Sequence, residues 1–163
     1  MKFVEQALDI VEGTYNDIKE IANDMLSSFF KPVDTIIDGL GKNINTLSAE
    51  TIRNVILELT FAGYKIGEIK DKTSIKSEIA EAIKKEKYAT IHNKTEGTVA
   101  TKENTALLEA SPEIVTEILY DLVANLSKTK LDEIHRVVDA LKAVLMSRMQ
   151  EMKINNSNSE VII

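Results

Sequence analysis

The sequence predicts an all-α fold: long helices with heptad-type faces, forming a helical bundle or coiled-coil homo-oligomer. Three observations predict it. Val4, Leu8, Val11, Tyr15, Ile18, Ala22, Met25 and Phe29 follow one another at alternating steps of four and three, the 3.5-residue repeat of a coiled-coil seam or bundle face. Breakers are scarce, with 6 Gly and 2 Pro in 163 residues, too few for many short strands and tight turns. Hydrophobic residues make up 44% and charged residues 28%, a balance that fits a folded chain and not wholesale disorder.

The first repeat predicts a helix over about 3–28, with Gly13 inside it at a cost of about 1 kcal/mol relative to Ala. Phe30-Lys31-Pro32 is expected to bend or end it, because the residue before a proline avoids the helical region. Val33, Ile36, Ile37 and Leu40 then suggest a short helix closed by Gly39 and Gly41. Ser48 reads as an N-cap, with Glu50 favouring the positive helix end. Ile52, Val55, Leu59, Ala62, Ile66 and Ile69 restart the repeat, and Gly63 and Gly67 lie in it four residues apart, suiting close helix approach. Ile75, Ile79 and Ile83 continue a helical period, and the pattern leaves open whether Asp71-Lys72-Thr73-Ser74 interrupts it. Residues 93–105 are expected to form a polar loop, with an apolar patch at Ala106-Leu107-Leu108 after it. Ser111-Pro112-Glu113 reads as N-cap, first-turn proline and first-turn acid. Beyond Pro112 there is no Gly or Pro. A helix over 112–152 would have 41 residues and span about 60 Å. It either breaks near Ser127-Lys128-Thr129 into a hairpin or projects to pack on neighbouring subunits. The domain boundaries expected are an acidic helical extension over 1–45, a helical domain over 46–153 and a flexible tail over 154–163. Val161-Ile162-Ile163 is a frayed end or a docking peptide.

Charge is uneven. The chain carries 20 basic and 26 acidic residues, net −6. Residues 1–62 are net −5, residues 63–102 net +3 and residues 103–163 net −4. The overall acidity excludes a protein that coats duplex DNA by bulk charge. The basic island is densest at Lys84, Lys85 and Lys87, followed by Lys94. Lysines supply point charges for phosphates. Tyr88 and His92, four apart on one helical face, suit stacking on unpaired bases. The same lysines would equally serve a solvated helix end by offsetting its dipole.

Catalytic chemistry finds little footing. With no Cys there are no disulfides, thiolate metal sites or cysteine nucleophiles. Gly39-Leu40-Gly41-Lys42 fails as a phosphate loop, since Ile36 stands where the first glycine belongs and Asn43 replaces the Ser or Thr. Asp132, His135 and Asp139 share a helical face, but they read as a salt-bridged surface with Arg136 and not as a metal site. The chain is therefore read as non-enzymatic, with no catalytic residues, metal or cofactor. No stretch has the apolar run of a membrane span or an export signal, so a cytoplasm is the expected location.

From Ser48 to Met152 the order of features resembles the UvsY-type recombination mediators of tailed bacteriophages. The resemblance lies in the capped helix, then Ser74-Ile75-Lys76-Ser77-Glu78-Ile79 leading into the lysine-rich helix with Tyr88. It continues in Ala100-Thr101-Lys102-Glu103, in the helix start Leu107-Leu108-Glu109-Ala110-Ser111-Pro112-Glu113-Ile114-Val115, and in the final helix closing on Ala140-Leu141-Lys142-Ala143-Val144-Leu145-Met146-Ser147-Arg148. It implies a non-enzymatic protein that binds single-stranded DNA and forms a ring-like homo-oligomer. It also implies help in loading a RecA-like recombinase onto DNA covered by single-strand-binding protein, in a bacterial host cytoplasm. The family's DNA contacts map onto Lys84, Lys85, Lys87 and Lys94. The oligomer contacts fall on the final helix, whose apolar face offers Leu131, Ile134, Val138, Leu141, Leu145, Met149 and Met152. Glu86 interrupts the lysines where the family has a Lys-x-Arg pair, and residues 1–45 have no counterpart. Two rival classes fit the composition: a small phage protein that binds and inhibits a host protein, and a structural coiled-coil or virion component.

Overall fold

The computed structural model describes residues 2–44 and 46–159, and the side-chain surroundings of 13–41, 44 and 46–151. The chain is all-α: α1 (Lys2–Asn43), α2 (Ala49–Lys94), α3 (Val99–Glu109) and α4 (Ser111–Ser159), with no strand among the described residues. No helix among them is long and apolar enough to cross a membrane.

The chain divides into two compact units that do not follow the expected boundary at residue 45. Unit 1 takes Met1–Ser27 and Glu68–Ser127, and unit 2 takes Ser28–Gly67 and Lys128–Ile163. The acidic N-terminal segment is therefore shared between both units and is not a separate extension.

Unit 2 holds the larger apolar core. Val33, Leu40, Ile52, Leu59, Ile66, Ile134, Val138 and Leu141 are buried together, with Phe30, Ile56, Leu131 and Leu145 packed at its edge. The buried positions of α2 recur every two turns at Ile52, Leu59 and Ile66, as the heptad pattern requires. Gly63 faces α4, where a Cβ would lie 3.5 Å from Ile134 Cγ2 in ordinary van der Waals contact, whereas Gly67 faces open space. Ser48 caps α2 as expected, accepting from the Thr51 amide at 3.1 Å. Arg148, on α4, donates to the carbonyls of Ile44 (3.0 Å) and Leu47 and so pins the connection between α1 and α2. Lys130 sits between Asp34 (2.7 Å) and Glu133 (2.6 Å) with its ammonium 5.4 Å from the Phe30 ring. Burial draws its pKa down, but the hydrogen bonds it donates to the two carboxylates, with their charge, outweigh that and hold it above its ordinary value.

Unit 1 packs through small residues. Its buried positions are Ile18, Ala22 and Leu26 of α1, Thr73, Ser77 and Ala80 of α2, Ala106 of α3, Ala110, and Val123 and Ser127 of α4. Alanine, serine and threonine allow short interhelical distances. The buried line of α1 follows steps of four, so Tyr15 and Met25 of the expected seam are exposed. Val4, Leu8 and Val11 lie outside the described side chains.

Several expected element ends are corrected. Pro32 lies inside α1. An interior proline costs about 3 kcal/mol, and the burial of Val33 and Leu40 directly after it keeps the segment helical. Gly39 and Gly41 do not close a helix, since Gly97 is the one described residue with positive φ. Asp71-Lys72-Thr73-Ser74 does not interrupt α2; the Thr73 hydroxyl is satisfied within the helix by the carbonyls of Ile69 (2.8 Å) and Lys70 (3.0 Å). The loop expected over 93–105 shrinks to the four residues between α2 and α3. Ser111 donates to the Leu108 carbonyl at 2.8 Å and so does not act as an N-cap. The hairpin near Ser127 is absent, and α4 continues to Ser159 through the expected tail. Val161-Ile162-Ile163 lies outside the described residues.

Candidate nucleic-acid interface

The candidate interface lies in unit 1, at the lysine-bearing end of α2 and the turn after it. Thr95 closes α2 by returning both its amide (2.9 Å) and its hydroxyl (2.8 Å) to the Ile91 carbonyl. Gly97 then takes φ +121, a backbone conformation that side-chain-bearing residues rarely adopt and that calls for glycine. Thr98 caps α3, accepting from the Thr101 amide at 3.3 Å. Ala110 alone separates α3 from α4, and its carbonyl accepts from the amides of Glu113 and Ile114, both at 3.1 Å.

That junction aims the first turns of α4 at the lysines. Glu113 accepts from Lys87 at 2.9 and 3.0 Å, Glu117 accepts from Lys84, and Asp121 accepts from Ser77 at 2.6 Å. One turn separates each carboxylate from the next, while their partners run backwards along α2, so the two helices are antiparallel here. Lys76 lies 5.2 Å from the Tyr120 ring centre on the same contact. Lys85 pairs with Glu81 on its own helix at 2.5 Å. The hydrogen bond from Lys87 is the main reason the Glu113 carboxyl is held below its ordinary pKa. Lys85 does the same for Glu81, and Glu81 raises Lys85 in return.

Tyr88 and His92 share one face of α2 and stack on each other, with ring centres 6.0 Å apart and planes at 19°. Tyr88 also borders an open groove of about 330 Å³ with Lys84, Lys85, Leu107, Ala110 and Ile114. The structure thus brings together Lys84, Lys85, Lys87, Tyr88 and His92. Lys94 stands in the last turn of α2, exposed and without an ion pair among the described residues. The partners that sequence reasoning missed are Glu113 and Glu117. Their spacing was visible, but the antiparallel contact that turns them onto lysines was not.

No family model, curated protein or solved structure matches the chain.

The other expected sites are placed differently. Ile134, Val138 and Leu141 are buried in the core of unit 2 and Leu131 and Leu145 pack against it, so this face is used within the chain and does not stand free as an oligomer seam. Met149 is exposed, and Met152 lies outside the described side chains. Among the described residues Arg136 bonds the Asp132 carbonyl at 3.1 Å and no carboxylate, and Asp139 pairs instead with Lys142 at 3.3 Å.

Proposed function

We propose that this chain is a non-enzymatic accessory protein of phage DNA recombination or replication, acting in the host cytoplasm. It binds single-stranded DNA and, as a homo-oligomer, assists a RecA-like recombinase onto DNA covered by single-strand-binding protein. The observation that carries the reading is the Tyr88–His92 stack at the lysine-bearing end of α2. Aromatic faces beside cationic side chains hold unpaired bases without sequence preference. Lys94 reaches phosphates most easily; Lys85 is exposed but paired with Glu81, and Lys84 and Lys87 are held by Glu117 and Glu113. Binding per subunit is therefore weak, and an oligomer adds such contacts together. The resemblance in the turn, α3 and α4 supplies the recombination context.

The test is fluorescence polarisation with a labelled single-stranded oligonucleotide at about 50 and about 200 mM salt. Two or three phosphate contacts per binding unit predict an affinity loss of roughly tenfold between those salts. Tyr88→Ala/Lys94→Glu should abolish binding while leaving the helical signal intact. Absence of wild-type binding at the lower salt would overturn the proposal.

A second reading has its own observation. The carboxylates of α4 neutralise much of the basic island, while Leu107 and Leu108 of α3 are exposed. A protein that binds and inhibits a host protein would present such a surface, and it predicts a stable protein complex with no DNA affinity.

A further inference from the structure

We propose that the outward face of α2 in unit 1 is a pairing surface for a second copy of this chain, docked antiparallel about a two-fold axis at Ile79. The two faces of this helix are inverted relative to an ordinary amphipathic helix. Thr73, Ser77 and Ala80 point inward, at 5%, 6% and 6% exposure, while Ile75, Ile79 and Ile83 point outward at 57%, 54% and 49%. Single exposed apolar residues need no explanation, but a contiguous apolar stripe marks a contact surface.

Charge names the occupant. Lys72 and Glu86 stand at equal steps before and after Ile79, about two helical turns each way and on the same face. Both are exposed, and among the described residues neither forms an ion pair within the chain. Their neighbours Lys70, Lys84, Lys85 and Lys87 are all paired internally. A two-fold contact must be self-complementary: residue i meets j, and j meets i. Antiparallel docking about Ile79 sets Ile79 on its own copy, Ile75 on Ile83, and Lys72 on Glu86 at both ends. Parallel docking would instead set Lys72 on Lys72 and Glu86 on Glu86, which like charges disfavour. The end pairs therefore fix orientation more than strength. A contact of about four helical turns is small among specific interfaces, so the pair forms at micromolar concentrations.

The pairing rests on the homo-oligomer of the proposed function and is measured without DNA: loss of DNA binding leaves it standing, and failure of this interface leaves single-stranded DNA binding to be tested separately. Sedimentation of the full chain at about 50 μM should give twice the chain mass, or an even multiple of it. Ile79→Lys should halve that mass with an unchanged circular dichroism spectrum. Lys72→Glu should weaken association by about tenfold, and Lys72→Glu/Glu86→Lys should restore it. Because the chain has no Cys, Ile79→Cys should be joined to a single dimer band by a short thiol–thiol cross-linker. A monomeric wild type, an Ile79→Lys variant of unchanged mass, a charge swap that restores nothing or an Ile79→Cys variant that does not cross-link would overturn the proposal.

Discussion

Glu113 shows how one side chain links the fold to its proposed use. Lys87 holds its carboxyl below the ordinary value, so it binds a proton more readily in the unfolded chain than in the folded one. Its contribution to stability is present above the unfolded pKa, roughly 4.3, and is lost as pH falls through the lower folded value. Thermal melts between about pH 3 and 7 should therefore fall off on the acid side, and Glu113→Gln should flatten that decline. Ser127 makes the opposite kind of case. Its hydroxyl is buried and has no hydrogen-bond partner among the described residues. An unsatisfied buried hydroxyl is a cost, so Ser127→Ala should leave stability unchanged or raise it by on the order of 1 kcal/mol in denaturant unfolding. Neither environment is legible in sequence, since each depends on which helix passes opposite. The shared face of Tyr88 and His92 was legible, because residues four apart on a helix are neighbours by local geometry alone; that the two rings stack on each other was not.

At the scale of elements, the 3.5-residue pattern identified helices correctly and erred on their ends and faces. It marked Ile52, Leu59 and Ile66 as core, and they are. It continued the stripe through Ile75, Ile79 and Ile83, whereas unit 1 turns Thr73, Ser77 and Ala80 inward. Periodicity gives the face that holds apolar side chains, but close packing of α2 on α4 selects the face with small ones. Pro32, Gly39 and Gly41 carry a local cost that predicts breaks, and tertiary burial of Val33 and Leu40 offsets it. The short α3 was hidden in a polar stretch whose helix signal is a single Thr98 cap. Arg148 has a structural role in tying the α1–α2 connection to α4. Hydrogen bonds to charged groups contribute about 1.5–3 kcal/mol, so Arg148→Ala should lower unfolding stability by about that amount. Arg148→Lys should recover only part of it, because an ammonium lacks the guanidinium's fork of donors.

At the scale of the whole molecule, the net −6 of the chain and its +3 island take on a different meaning once the fold is known. The island is not a bare cationic patch, because Glu113 and Glu117 fold back onto Lys87 and Lys84. Charge counted along the sequence overstated the attraction for phosphate. Only the contact between α2 and α4 reveals the compensation. If the proposed DNA binding holds, Glu113→Gln/Glu117→Gln should release the lysines and tighten single-stranded DNA binding by about threefold or more, with a steeper salt dependence. The most direct measurement is polarisation of a labelled single-stranded oligonucleotide titrated with the wild-type chain at about 50 mM salt. A saturable rise that weakens roughly tenfold at about 200 mM salt is the predicted result. A flat titration at the lower salt, with the protein folded, would contradict the account.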